Sequence, residues 1–303
     1  MSVLQRKLHL DVRAVVILVV LCLLWGLNQV AAKVALTEVP PLIQASVRSL
    51  GAAVLVVAWA QWRGIRLFAR DGTLPGGLLA GILFAAEFAS VFIGLQFTTA
   101  SRMVVFLYMA PFIVALGMPF IAKSEALKPL QLVGLAAAFA GVAWAFAEGF
   151  TRPAAGAHQW LGDALGLFAG VCWAATTLTV RATPLTSASA EKTLLYQLVV
   201  SGVALALGAA FTSQHMPSSL SPVVAMSLVF QTIVVCFASF LVWFWLVQRY
   251  PATRLSSFTL LTPVFGLLMG AALLGEPITT RLMIALGGVS IGIWLVNRPQ
   301  RKG

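Results

Sequence analysis

Two stretches decide the fold: QFTTASRMVVFLYMAPFIVALGMPFIAKSE at Gln96–Glu125 and QRYPATRLSSFTLLTPVFGLLMGAALLGE at Gln248–Glu276. Shifted by 152 positions, Gln96 falls on Gln248, Ala100 on Ala252, Arg102 on Arg254, Phe106 on Phe258 and Pro111 on Pro263, with Ser101 on Thr253. Glu125 meets Glu276 one residue short, at 151. Each copy reads as the end of an apolar helix, a tight polar turn, and a second apolar helix with a proline in its middle and a glutamate at its far end. A proline removes a helix hydrogen bond and crowds the carbonyl one turn earlier, so both helices are expected to kink. In a bilayer such backbone is tolerated where protein buries it or where it lines a cavity. Two kinked helices at equivalent places in two half-proteins point to a pathway between the halves.

Composition sets the class. The 303 residues are 60% hydrophobic and 10% charged, with a mean hydropathy of +0.96. Soluble domains carry about 25% charged residues, so this is an all-α integral membrane protein. Ten runs are long enough to cross about 30 Å of hydrocarbon as helices: approximately 14–35, 42–62, 75–97, 101–121, 130–147, 160–182, 192–212, 222–247, 255–274 and 281–296. Val30-Ala31-Ala32 resembles a signal-peptide cleavage site. The same run recurs in the second half, however: at an offset of 148 Trp25 falls on Trp173 and Lys33 on Arg181, so it is read as a span. The division is a first five-helix repeat over 1–148, a linker over 149–159 broken by Pro153 and Gly156, and a second five-helix repeat over 160–303. Five is odd, so the second repeat enters the membrane from the opposite side, giving inverted topology around a central cavity.

The basic residues fix the expected orientation. With the N-terminus inside, all of the 20 Lys and Arg except Lys33, Arg48, Arg102, Arg152 and Arg281 fall in cytoplasmic segments. That bias places both termini in the cytoplasm and accounts for the net charge of +11 without nucleic acid as a partner. Trp59, Trp62, Trp160 and Tyr250 sit near span ends as interfacial anchors. Cys22, Cys172 and Cys236 lie in apolar runs and read as small packing residues.

Glu87 is the leading candidate for chemistry. It lies near the middle of the third span, where an ionisable group marks function by default. It can take up a proton or pair with a cationic group on a substrate; the alternative is a glutamate bonded to a neighbouring helix for structure. Its repeat partner is Ser239, so the halves differ chemically here. Asn28, Trp25, Trp173, Tyr108, Tyr196, Gln231 and Trp243 are polar or aromatic residues away from the headgroup level, and some of them should face the cavity. Pro111 and Pro263 read either as a pair of hinges or as static kinks. Gly266 with Gly270, and Gly288 with Gly292, read as close-packing pairs. Lys33 and Arg48, near the outer ends of spans one and two, read as snorkelling side chains. Glu125, Glu148 and Glu276 read as caps or loop ion pairs. There is no GxxxxGK[ST] for a P-loop. The histidines His9, His158 and His215 fall outside the spans, which disfavours an intramembrane hydrolase or a buried metal, and no cofactor is expected.

The layout resembles the drug/metabolite transporter superfamily, in particular its EamA-type ten-span members. The resemblance rests on Leu24-Trp25-Gly26-Leu27-Asn28, on Thr98-Thr99-Ala100-Ser101 leading to Ala110-Pro111-Phe112, and on Glu125, Gln131, Gly134 and Gly141. In the second half it rests on Pro251-Ala252-Thr253-Arg254, Thr262-Pro263-Val264-Phe265, Gly275-Glu276 and Gly288 to Gly292. It implies a basket of ten helices with alternating access and no ATP. It also implies a small-molecule substrate, foremost amino acids, aromatic ones included, exported across a bacterial inner membrane. The family motifs name no site residues to carry over. Read from the residues themselves, the substrate contacts are Glu87 for charge handling, Tyr108, Trp173 and Trp243 as cavity aromatics and Asn28 as a polar contact, with Pro111 and Pro263 as hinges. Proton coupling is open, and one chain can be complete as a monomer. A broad-specificity drug or nucleotide-sugar carrier is the competing reading within transport, and an intramembrane lipid-acting enzyme is the one outside it.

Overall fold

A computed structural model describes residues 10–98, 103, 106–122, 128–145 and 158–274, together with 287 and 291. Most of the tenth expected span, most of the linker, Glu125, Glu148, Glu276, Arg102 and the Gly288–Gly292 pair lie outside the described residues. Those described are helical, with no strand among them. We label the helices α1 (Val12–Ala35), α2 (Pro41–Trp62), α3 (Leu74–Gly94), α4 (Ala110–Ile121), α5 (Pro129–Ala145), α6 (Gln159–Ala182), α7 (Ala190–Phe211), α8 (Pro222–Arg249), α9 (Ala252–Phe258) and α10 (Leu261–Leu274). Six of them, α1, α2, α3, α6, α7 and α8, are long and apolar enough to cross a membrane. Their starts carry ordinary local signals. Asp11 caps α1 through the Ala14 amide at 2.9 Å, and Ser189 caps α7 through the Lys192 amide at 3.1 Å. Pro41 and Pro222 occupy first-turn positions, where a missing N–H is harmless.

The connections sort into two ends. At one end, Tyr250 donates to Asp11 at 3.0 Å and Gln248 to the Ala188 carbonyl at 2.7 Å. Lys192 reaches Asp71 at 2.8 Å and the Ala69 carbonyl at 2.7 Å. The Lys192 and Thr73 hydrogen bonds hold the Asp71 carboxyl down to about 2. At the other end, the Ser221 amide donates to Glu38, the Leu42 amide to Gln214 and Thr98 to Asp163. Helix α1 starts at the first end and α6 starts at the second, so the two run in opposite senses. Trp62 and Trp160 are exposed, as an interfacial anchor requires. Tyr250 is not: it is buried, its hydroxyl tied to Asp11.

The two proline segments differ from the kinked continuous helices expected. Each is broken, and the proline sits in the first turn of the helix that follows. Pro111 is in the first turn of α4 and Pro263 in the first turn of α10. Ahead of each, the chain tightens into three-residue bonds. Met109 donates to Phe106 and Phe112 to Met109, while Thr259 donates to Ser256, Leu260 to Ser257 and Thr262 to Thr259. The physical reason is that a proline lacking its N–H fits a helix start better than a helix middle. Neighbouring helices pack closely on both breaks. The Cys22 thiol on α1 donates to the Phe258 carbonyl at 3.3 Å. Gly170 on α6 lies against Leu107 and Phe106, where a Cβ would stand 2.7 Å from the Leu107 oxygen.

Packing runs across the two halves. Helix α3 lies along α6 and α7, α2 along α7, and α1 along α10. Helix α8 carries a π-helical segment, Phe230–Ser239, against α1 and α2; such segments recur at functional sites. The α1–α10 approach depends on Gly26, where a Cβ would stand 2.7 Å from the Gly266 nitrogen. Gly26→Leu is therefore expected to lower stability by about 1–3 kcal/mol through overpacking, read as a fall in melting temperature of purified protein. Gly208→Ala in α7, whose Cβ would meet only the Leu42 side chain at 3.4 Å, is expected to be neutral or slightly stabilising. Equal melting temperatures for Gly26→Leu and wild type would refute the packing account.

Candidate functional site

A cavity of about 90 Å³ lies among α1, α2, α3, α6, α7, α8 and the break before α4. All five residues singled out as substrate contacts line it: Asn28 from α1, Glu87 from α3, Tyr108 at the break, Trp173 from α6 and Trp243 from α8. Pro111 and Pro263 do not line it; they follow the breaks, and Tyr108 enters the cavity from the first of these. Tyr196 and Gln231 lie elsewhere. The Tyr196 hydroxyl meets Thr73 at 3.2 Å, and the buried Gln231 accepts from Gln44 at 3.0 Å.

The walls are aromatic, and their rings hold one another in place. Trp25 meets Trp243 edge-on at 5.4 Å between ring centroids, and Tyr108 meets Trp173 edge-on at 5.1 Å. Such pairs fix orientation beyond simple burial. The Trp25 indole donates to the Ser239 hydroxyl at 2.9 Å, and Ser239 in turn donates to the Val235 carbonyl at 2.6 Å. The position equivalent to Glu87 in the second half thus serves to anchor a cavity wall. Cys22, Cys172 and Cys236 are buried free thiols.

Glu87 is 7% exposed and faces the cavity. Its Oε2 has no hydrogen-bond partner among the described residues. Among the described residues no hydrogen bond ties Glu87 to a neighbouring helix.

Arg48 corrects the sequence reading. It does not snorkel to an interface: it is 0% exposed and lines the same cavity. Its guanidinium lies over the Phe88 ring at 4.1 Å and the Phe92 ring at 5.0 Å, cation–π contacts worth about 2 kcal/mol when desolvated. Nε, Nη1 and Nη2 all lack a hydrogen-bond partner among the described residues, and no salt bridge there joins Arg48 to Glu87. Gln197 on α7 is a second residue the sequence reading missed. It is fully buried, lines the cavity and leaves its Oε1 unpartnered. Lys33, by contrast, is exposed.

A membrane-embedded helical bundle enclosing a cavity with charged and aromatic walls has the form of a carrier of small molecules. The model of the EamA-like transporter family matches residues 12–147 and 160–298, and the chain belongs to that family. An uncharacterized transporter of Bacillus subtilis, YvbV, is 29% identical over 94% of this chain and 92% of its own length. A protein of Escherichia coli named a probable amino-acid metabolite efflux pump is 24% identical over 92% of this chain and 93% of its own length. One crystal structure, 17% identical, covers 94% of this chain and 97% of its own with a TM-score of 0.76, which shows the fold. The family and these relatives are transporters, which points away from an enzyme.

The Trp25–Ser239 bond makes a prediction about the wall. Ser239→Ala leaves a buried indole N–H without its partner, a loss of about 1–3 kcal/mol. The expected result is a lowered melting temperature for Ser239→Ala in the wild-type background and a smaller drop, or none, when Ser239→Ala is added to Trp25→Phe. Additive effects of the two substitutions would show that the bond does not couple them.

Proposed function

We propose that the chain is a secondary transporter that exports small metabolites, amino acids foremost and aromatic ones among them, across the bacterial inner membrane by alternating access. Its architecture on this reading is ten spans in two inverted five-helix repeats with both termini cytoplasmic. The end that gathers Asp11, the α2–α3 connection and the α8–α9 connection carries Arg63, Arg66, Arg70 and Arg249, which supports a cytoplasmic placement for it. The observation that carries the functional reading is Glu87: a buried carboxyl whose Oε2 has no hydrogen-bond partner among the described residues, facing an aromatic-walled cavity between the halves. There it meets the ammonium group of a substrate or takes up a coupling proton. Asn28, Tyr108, Trp173 and Trp243 are the remaining substrate contacts, and the breaks at Pro111 and Pro263 are the hinges. Relatives in Escherichia coli and Salmonella typhimurium named probable amino-acid metabolite efflux pumps favour the same class.

Arg48 inside the cavity gives the nucleotide-sugar alternative a base that could meet a phosphate. Against it, Arg48 is the one basic residue among the described residues that line the cavity, a single base for a nucleotide sugar's two phosphates.

The test is uptake of a labelled amino-acid panel by proteoliposomes, with and without a pH gradient. Wild type is expected to show saturable uptake, and Glu87→Gln to lose it at least tenfold with an unchanged melting temperature. Dependence on the gradient would assign proton coupling, and independence would assign exchange. Wild-type transport by Glu87→Gln would overturn the role given to Glu87.

A further inference from the structure

Among the described residues, the unpartnered polar groups of the cavity are of two kinds. The acceptors are the Glu87 Oε2, the Asn28 Oδ1 and the Gln197 Oε1. The donor is the Arg48 guanidinium, with all three nitrogens free of partners. The Phe88 and Phe92 rings lie 4.1 and 5.0 Å from the Arg48 guanidinium carbon and so restrict its position. The N–H groups of a guanidinium lie in its plane, where a planar carboxylate is received in bidentate fashion. A buried arginine with no acceptor is an unfavourable arrangement for stability alone. A ligand that brings the missing acceptor removes that disadvantage.

We propose that Arg48 is the carboxylate anchor of the cavity and that Glu87, with Asn28 and Gln197, receives the ammonium group, so that the transported species is the zwitterion of an α-amino acid rather than an amine or a carboxylic acid. The inference rests on the amino-acid reading above and adds the carboxylate partner and the charge state of the substrate. An α-amino acid has the matching inventory: one planar anion, and one ammonium with three donors set one carbon away. The two charges of the protein are then neutralised together when the ligand is bound, and the aromatic walls remain for its side chain.

The experiment measures equilibrium binding of the twenty L-amino acids to purified wild-type protein by ligand-induced thermal stabilisation. For each binder it then compares the methyl ester, the decarboxylated amine and the desamino acid. In wild type, removal of the carboxylate is expected to raise the Kd at least tenfold, and removal of the ammonium to do the same. Arg48→Gln is expected to raise the Kd of the amino acid at least tenfold while leaving that of the ester and the amine within twofold of wild type. Arg48→Lys should fall between, and Glu87→Gln should weaken the ester and the amine as well. Should Arg48→Gln fail to fold, the wild-type analogue series still decides. An ester or amine that binds wild type as tightly as the parent amino acid overturns the anchor, as does unchanged amino-acid affinity in Arg48→Gln. Both of those results leave the amino-acid reading standing; wild type that binds none of the twenty overturns both.

Discussion

The structure depends on what happens to main-chain polar groups where Pro111 and Pro263 interrupt a helix inside the bilayer. An unsatisfied backbone group in hydrocarbon costs several kcal/mol, so a break must be covered by protein or must face a cavity. Both solutions are used here. Cys22 on α1 donates to the Phe258 carbonyl, and α6 comes close to the Phe106 and Leu107 carbonyls because Gly170 has no side chain. Gly26 allows the matching approach of α1 to α10. The same helices that cover the breaks carry the cavity walls: α1 brings Trp25 and Asn28, and α6 brings Trp173. The first break turns Tyr108 inward. The cavity is therefore a consequence of how the broken segments are enclosed.

Within that enclosure the electrostatics decide what can bind. A charge in an apolar interior is tolerated when it is paired or solvated. Glu87 and Arg48 share one cavity and are held by different helices, α3 and α2, with no salt bridge between them among the described residues. Stacking on Phe88 and Phe92 offsets part of the desolvation of Arg48. On the proposal made for Arg48 and Glu87, what is left over is a preference for a ligand that carries both signs. The aromatic residues of the walls hold one another through edge-to-face contacts.

Much of this was legible in the sequence. The runs at 14–35, 42–62 and 160–182 correspond closely to α1, α2 and α6, because an unbroken apolar stretch of that length has few other stable forms. Glu87, Asn28, Tyr108, Trp173 and Trp243 could be picked out as polar or aromatic residues at mid-span, and the fold brings them to one cavity. Arg48 could not. It lies seven residues into α2, about 10 Å along the helix axis, a depth equally compatible with snorkelling; what buries it is Phe88 and Phe92 from a different helix. Gln197 was hidden for the same reason, since nothing local marks which face of α7 meets the cavity. The proline positions were visible but their form was not: a kink and a restart share one sequence signal, and tertiary cover chooses between them. The π-helical segment of α8 has no sequence signature at all.

The central claim is that this cavity is loaded and emptied by a carrier, opening to one side of the membrane at a time. Counterflow tests it most directly. Sealed proteoliposomes are loaded with an unlabelled amino acid at high concentration and diluted into a trace of the labelled form, with no ATP and no ion gradient. A carrier that exchanges bound substrate predicts transient accumulation of label above its equilibrium level. Entry of label to equilibrium without that overshoot, equally fast with empty vesicles, would describe a pore and would contradict the account.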